Sequence, residues 1–462
     1  MAQPANILSI LESNTFREWV YKDNNVISTL NLVNSAVGNV ESLVTTAKNS
    51  TVAAINELQA NGQSLVVIYD VHNTLAGNNS VLGDIVGSNN TGYGSYTITT
   101  ALEGSNNVAL GSFALEKATD SATEGNTGVG YRALQKVDGG WQNTAIGKDA
   151  LINLAGGYEN VAIGSNALSS VTGTFYAIAI GADAMANNSS DANFNIAIGC
   201  QAMQQSTKSV NIGIGFRSLF NSHGSQNISI GNQASEWMWD GNFNTAIGNN
   251  ALRYGVSAFS NVGIGFETCF KSNGTSNLAI GYQALRSVNT GNQNIAIGTR
   301  ALWSSDANYN LGIGSTALAN VESSNYNTAI GHHSLQSLVS GSGNNVSIGV
   351  DTLLNCVSGS NNTAIGYVAG HNTTGSNNVF IGAWAGFDED RSDKLVIGGR
   401  IGRELIYGDF ANNMVNVNSA ITLTPTTAPT VALGPGTLYY DSGANRFKFF
   451  NGSAWETITS ST

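Results

Sequence analysis

Asn143-Thr144-Ala145-Ile146-Gly147-Lys148-Asp149-Ala150-Leu151 is one copy of a phrase that recurs eighteen times between Asn107 and Gly398. Asn160, Ile163 and Gly164 carry the next copy, and Asn294, Ile297 and Gly298 carry a later one. Successive repeat glycines stand 16 to 19 residues apart, most often 16 or 17. A unit this short cannot bury a core of its own, so each copy must stack on its neighbours. The repeat therefore predicts a parallel β-roll or β-solenoid, an all-β rod rather than a set of globular domains.

The positions around each glycine divide into two classes. Ile stands immediately before it in sixteen copies, and Val, Ile, Leu or Thr stands three before it in all of them. Two before it lies Ala, Gly or Ser in sixteen copies. Side chains alternate along a strand, so one face is bulky and the other is tiny. The expectation is that the bulky residues fill the coil and the tiny face packs closely on a second strand or chain. Asn stands four before the glycine in sixteen copies, and stacked coils would align these amides as a ladder.

Outside the array the composition changes. Residues 1–65 place Leu30, Val33, Val37, Val40, Val44, Ala47, Thr51, Ala54 and Leu58 at 3-4 spacing, which predicts a helical coiled-coil attachment segment. Residues 66–104 read as a transition with degenerate first coils, and 105–399 as the array. Residues 400–435 form a connector and linker, since Pro425, Pro429 and Pro435 cluster there. Residues 436–462 read as a small β meander, with Asn451-Gly452 as a turn. Near the array's end Gly370 and Gly386 replace the usual Leu, and Lys394 replaces Asn, as expected of a capping boundary.

Charged residues make up only 11% of the 462, the net charge is −11, and no run of Lys or Arg occurs. Nucleic-acid binding through a phosphate footprint is excluded on that ground. No stretch of about 18 apolar residues suggests a membrane span. Cys200, Cys269 and Cys356 fall at three different phases of the repeat, which argues for free thiols rather than a disulfide framework.

The titratable residues suggest no enzyme, cofactor or metal. His332 and His333 are adjacent, and neighbours on a strand would point to opposite faces. No His or carboxylates stand out at matching phases of adjacent coils. Asp388-Glu389-Asp390-Arg391 reads as a solvated turn. Aromatics recur five or six places before the glycine, as at Trp141, Tyr158, Phe175 and Phe194. A ladder of mutually packed rings is the simpler reading of that line, and a sugar-stacking stripe is the other.

The phrase Asn-x-Ala-Ile-Gly-x-x-Ala-Leu resembles the head repeats of trimeric autotransporter adhesins and, equally, those of tailed-bacteriophage fibre proteins. The resemblance covers residues 105–399 and implies a left-handed parallel β-roll packed as a homotrimer. The family's small inner residues map onto Ala145, Ala162, Ala179 and Ala296. The period here is two or three residues longer, which implies a larger loop in each coil.

Bacterial adhesins of this kind carry a signal peptide and a C-terminal barrel anchor, and neither is visible in this sequence. The segment from Gly436 to Glu456 is similar to terminal meanders of phage fibres, and Asn14-Thr15-Phe16-Arg17-Glu18-Trp19 to their virion-attachment ends. The resemblance thus implies a virion protein assembled in the host cytoplasm: a tail-fibre-type rod that recognises a host-surface glycan or protein. Its partners would be its own copies and other virion proteins, met through the N-terminal region. Candidate receptor contacts are Tyr440, Phe450, Trp455, Trp141, Trp237 and Trp239. The alternatives are a fibre without a receptor role (a neck whisker, connector or capsid decoration) and a fragment of a bacterial trimeric adhesin.

Overall fold

The computed structural model describes residues 66–69, 73–77, 87–99, 103–189, 193–341, 343–399, 403–421 and 435–459. The coiled coil expected over residues 1–65 lies outside them, as do Pro425 and Pro429. The described chain is all-β and contains no helix. A parallel β-solenoid of about 18 turns forms its body.

Each turn contributes a three-residue strand at the repeat phrase, such as Thr144–Ile146 and Val161–Ile163. These strands pair in parallel with phrase on phrase: Thr144 faces Val161, Ala145 faces Ala162, and Ile146 faces Ile163. The stack begins before the recognisable repeats. Asn73–Ala76 and Thr91–Tyr93 are the same strand in the coils of Gly77 and Gly94. Here Leu75 and Gly92 hold the small-residue position, and Tyr93 stands where Ile is usual.

The sheet faces the opposite way from the sequence-based expectation. Ala145, Ala162, Ala179 and Ala296 are fully buried inside the coil, while Ile146 is 39% exposed and Ile163 half-buried on the outside. Coil width is the reason. The side chains that fill the interior come from the other wall, at Ala150, Leu151 and Leu154, all fully buried. With Leu projecting from there, only a methyl group fits beneath the strand. The small residues of the phrase therefore point inward, and the bulky column is left on the surface.

After each strand the chain reverses through residues with positive φ at alternate positions. Gly147 has φ 136°, Asp149 φ 59° and Leu151 φ 50°. A left-handed conformation costs a non-glycine residue on the order of 1–2 kcal/mol, yet Leu adopts it coil after coil. Hydrogen bonding between coils offsets the cost: Leu134 N donates to Ala150 O at 3.0 Å, and Leu151 N to Ala167 O at 3.0 Å. The repeat glycine has no such latitude. A Cβ on Gly147 would lie 2.5 Å from the carbonyl oxygen of Gly164 in the next coil.

The asparagine ladder forms as the spacing predicts. Asn160 donates both its backbone N–H (3.1 Å) and its Nδ2 (2.9 Å) to Asn143 Oδ1. Asn143 treats Asn126 the same way, and its Nδ2 also reaches Gly157 O at 2.8 Å. Each amide thus satisfies a backbone donor and a backbone acceptor of neighbouring coils while fully buried.

Antiparallel strands cover both ends of the sheet. Val66–Tyr69 pairs with Asn73–Ala76 at the first coil. At the other end Glu404–Asp409 folds back on Lys394–Gly398, and Met414–Val417 follows it. Lys394, in the asparagine column, is buried and reaches Asp409 at 3.0 Å. Leu438–Asp441, Arg446–Phe450 and Trp455–Thr457 make a separate antiparallel sheet of three strands.

Candidate functional site

The two positions after the repeat glycine emerge from the sheet onto the surface, and the second carries a polar ladder. Arg132 grips Asp149 with Nε at 2.7 Å and Nη2 at 3.0 Å. Asn166 donates to Asp183 at 3.0 Å, and Arg300 to Gln283 at 3.1 Å. Nearby, the buried carboxylate of Glu236 lies between Arg253 (2.7 Å) and Arg217 (3.5 Å). Groups of complementary character therefore occupy matching phases of adjacent coils. The repeat brings positions about 17 apart into contact, and such pairs escape notice when the chain is read linearly.

His332 and His333 also depart from expectation. They follow Gly331 in the reversal rather than lying on the strand Thr328–Ile330, and His333 has φ 54°. Strand alternation does not apply there, and the two rings lie 3.5 Å apart between centroids. Asp351 occupies the next coil at the phase of His333, with Oδ1 3.0 Å from His333 Nδ1. The donor atoms of His332, His333 and Asp351 all lie within 4.8 Å of one another. Among the described residues this is the cluster suited to a metal ion, so geometry reopens the expectation of none.

The acidic turn is a different matter. Arg391 donates to Glu389 through Nε at 2.7 Å and Nη2 at 3.1 Å, and Asp388 accepts from Asn372 at 2.9 Å. The hydrogen bond to Glu389, with its charge, holds the Arg391 pKa above its ordinary value. The turn is solvated and internally paired, as its sequence suggested.

The candidate receptor residues separate into groups. Trp141 stacks on Tyr158 at 4.7 Å between centroids, and Tyr158 stacks on Phe175 at 5.1 Å. This ring ladder matches the simpler reading of the aromatic line. Trp237 packs edge-on to Phe220, whereas Trp239 is half exposed beside His223. In the three-stranded sheet, Trp455 packs between Tyr439 (4.5 Å) and Phe450 (5.3 Å). Tyr440 lies against Phe447 and hydrogen-bonds Asn445. Trp455, Phe450 and Tyr440 thus serve the packing of that small sheet first, and the six candidates converge on no common cleft. An open groove of about 500 Å³ lies elsewhere on the array, lined by Tyr254, Lys271, Asn273, Ser287, Asn289 and Asp306.

The cysteines are free. Burial pushes the Cys269 thiol up to about 12 and the Cys356 thiol up to about 11, while Cys200 is exposed.

No protein-family model, curated protein or solved structure matches the chain. No helix among the described residues is long and apolar enough to cross a membrane.

Proposed function

We propose that this chain is the shaft of a trimeric fibre of a bacteriophage virion, a tail-fibre-type rod that presents surfaces to the host cell. The carrying observation is the outward column of Ile, Val and Leu on one flat sheet face. Ile146, Ile198, Ile230, Ile247, Ile264 and Ile365 are each 36–39% exposed, and the Ile of the coils between them are half-buried. Scattered exposed apolar residues are ordinary, but a continuous apolar strip marks an interface.

Its size fits that role. About 18 turns at about 4.8 Å each extend on the order of 85 Å, and a strip about 10 Å wide presents on the order of 850 Å². In a trimer each copy divides that strip between two neighbours, about 425 Å² to each, so the assembly rests on three modest contacts closing together. Three copies packed strip to strip would bury the Ile column, leaving the polar ladder and the aromatic loops outside. The repeat resemblance supports the same arrangement and gives the number three.

Sedimentation of the full chain tests the assembly. The reading expects a trimer, with Ile163→Glu plus Ile180→Glu shifting it to monomer while the β-rich circular dichroism persists. A wild-type monomer at micromolar concentration sinks the trimeric shaft. Cryo-electron microscopy of particles tests the virion placement, and adsorption by particles lacking residues 425–462 tests the receptor role. Normal adsorption without the whole chain would assign a passive whisker or connector. Absence from every particle, with the chain on the bacterial surface, would assign an adhesin.

A further inference from the structure

The geometry points to a divalent transition-metal site formed by His332, His333 and Asp351, with Zn²⁺ as the natural occupant. The site is independent of the fibre reading, since one chain supplies all three ligands.

Three observations converge on it. The donor set is two imidazoles and a carboxylate, which suits late first-row ions such as Zn²⁺, Ni²⁺ or Cu²⁺ rather than the oxygen-seeking Ca²⁺ and Mg²⁺. The spacing is close to what such an ion needs. A tetrahedral ion with bonds near 2.1 Å sets its ligand atoms about 3.4 Å apart. Here His333 Nδ1 and Asp351 Oδ1 are already 3.0 Å apart, and the full set lies within 4.8 Å. His332 is exposed, so a rotation of its ring closes the remaining gap without disturbing the coil.

The second observation is what Asp351 lacks. Asp149 faces Arg132 along the same ladder, and Glu236 and Glu267 each face an arginine close by. Among the described residues no Lys or Arg pairs with Asp351, and its ionic partner is His333. Its other neighbour at this phase, Val368 in the following coil, carries no charge. A carboxylate beside two imidazoles, with no guanidinium to satisfy it, is left available to a cation.

The third is rigidity of the frame. Asp351 N donates to His332 O at 2.9 Å, and His333 N to Ser315 O at 3.0 Å. The ligands thus come from two adjacent coils locked together by backbone bonds, so little ordering entropy remains for the ion to overcome. Three protein ligands would leave a coordination position for water, or for an oxygen donor on a partner surface.

Titration of the full chain with Co²⁺, read by its visible d–d absorption and competed with Zn²⁺, tests the site. One Co²⁺ per chain is expected, displaced by Zn²⁺. His332→Ala and Asp351→Asn should each weaken binding by at least about tenfold, and His332→Ala with His333→Ala should abolish it. His223→Ala should change nothing. His332→Ala is the safeguard on folding: its side chain is exposed, so its thermal unfolding without metal should match wild type. Absence of Co²⁺ and Zn²⁺ binding at millimolar ion overturns the site. So does binding undiminished in the double variant, or binding of Ca²⁺ alone.

Discussion

Phe380 and Gly370 share one space inside the last coils of the array. Phe380 stands where nearly every other coil has Ala, Gly or Ser, and its side chain is fully buried. Gly370 holds the position normally taken by Leu, and a Cβ there would lie 2.6 Å from the ring's Cδ2. Gly386, one coil further on, lies against the opposite edge of the ring and could accept no Cβ either. One large residue from the sheet wall replaces two from the return wall. What reads in sequence as decay of the repeat is an exchange of volume. Phe380→Ala should cost about 3–5 kcal/mol by opening a cavity, and Gly370→Leu alone should overpack the coil. The triple change Phe380→Ala, Gly370→Leu and Gly386→Leu should recover much of the loss. Chemical denaturation of the four proteins checks this, and a triple variant weaker than Phe380→Ala would refute the exchange.

The asparagine ladder has a graded prediction. Asn143→Ala removes the acceptor for Asn160's backbone N–H and side-chain amide, and the donor to Gly157 O. Orphaning buried polar groups costs about 1–3 kcal/mol. Asn355, on the exposed side of its coil, donates its side-chain amide to Asn372 at 2.8 Å, so Asn355→Ala should cost a few tenths at most. Ala177 shows that a single missing rung is compatible with the fold, because its N–H still reaches Asn160 Oδ1 at 3.0 Å. Equal losses in the two variants would mean that the ladder contributes little.

The sheet's closing contact is sensitive to acid. The hydrogen bond from Lys394, and then that from Asn412, hold the Asp409 carboxyl down from 3.8 to about 2. A folded-state pKa below the unfolded one means that the contribution is complete above about pH 4. It is lost as pH falls from there through about 2. Asp409→Asn should lower thermal stability at neutral pH, and its difference from wild type should shrink between pH 4 and pH 2. A constant difference across that window would show that the Lys394–Asp409 pair does not stabilise the end of the array.

Thiol accessibility follows from burial. Cys200 should react with a disulfide reagent in the folded chain, whereas Cys269 and Cys356 should react only after denaturation. Rapid labelling of all three under native conditions would mean that coils open far more readily than their packing implies.

Much of the fold is legible in the amino-acid order. The glycine spacing implies the stack, and the asparagine column implies the ladder. The direction of the bulky face is not legible from alternation. Alternation shows that two faces differ, but the one that turns inward depends on coil width, set by Leu151 and Leu154 on the opposite wall. Leu151 itself gives no warning, because a left-handed leucine has no sequence signal and survives here through bonds to the next coil. The coils of Gly77 and Gly94 are legible only as degenerate first coils, because Leu75 and Tyr93 depart from the phrase. The His332–His333–Asp351 cluster escapes a linear reading for a related reason. Its members meet only once the reversal and the register between coils are known.

The register between coils also makes the rod's length a quantised variable. Every coil leans on the next through the same bonds, so whole coils are interchangeable units rather than unique parts. Removing residues 148–164 would join Gly147 to Ser165 in phase, shortening the chain by one step of about 4.8 Å, with the glycine and leucine columns re-formed across the joint. Removing one residue more or fewer would throw Asn195 and its successors out of line. Such a molecule can be lengthened or cut back by duplication and deletion in the gene, like a ruler divided in coils, while its two ends stay unchanged.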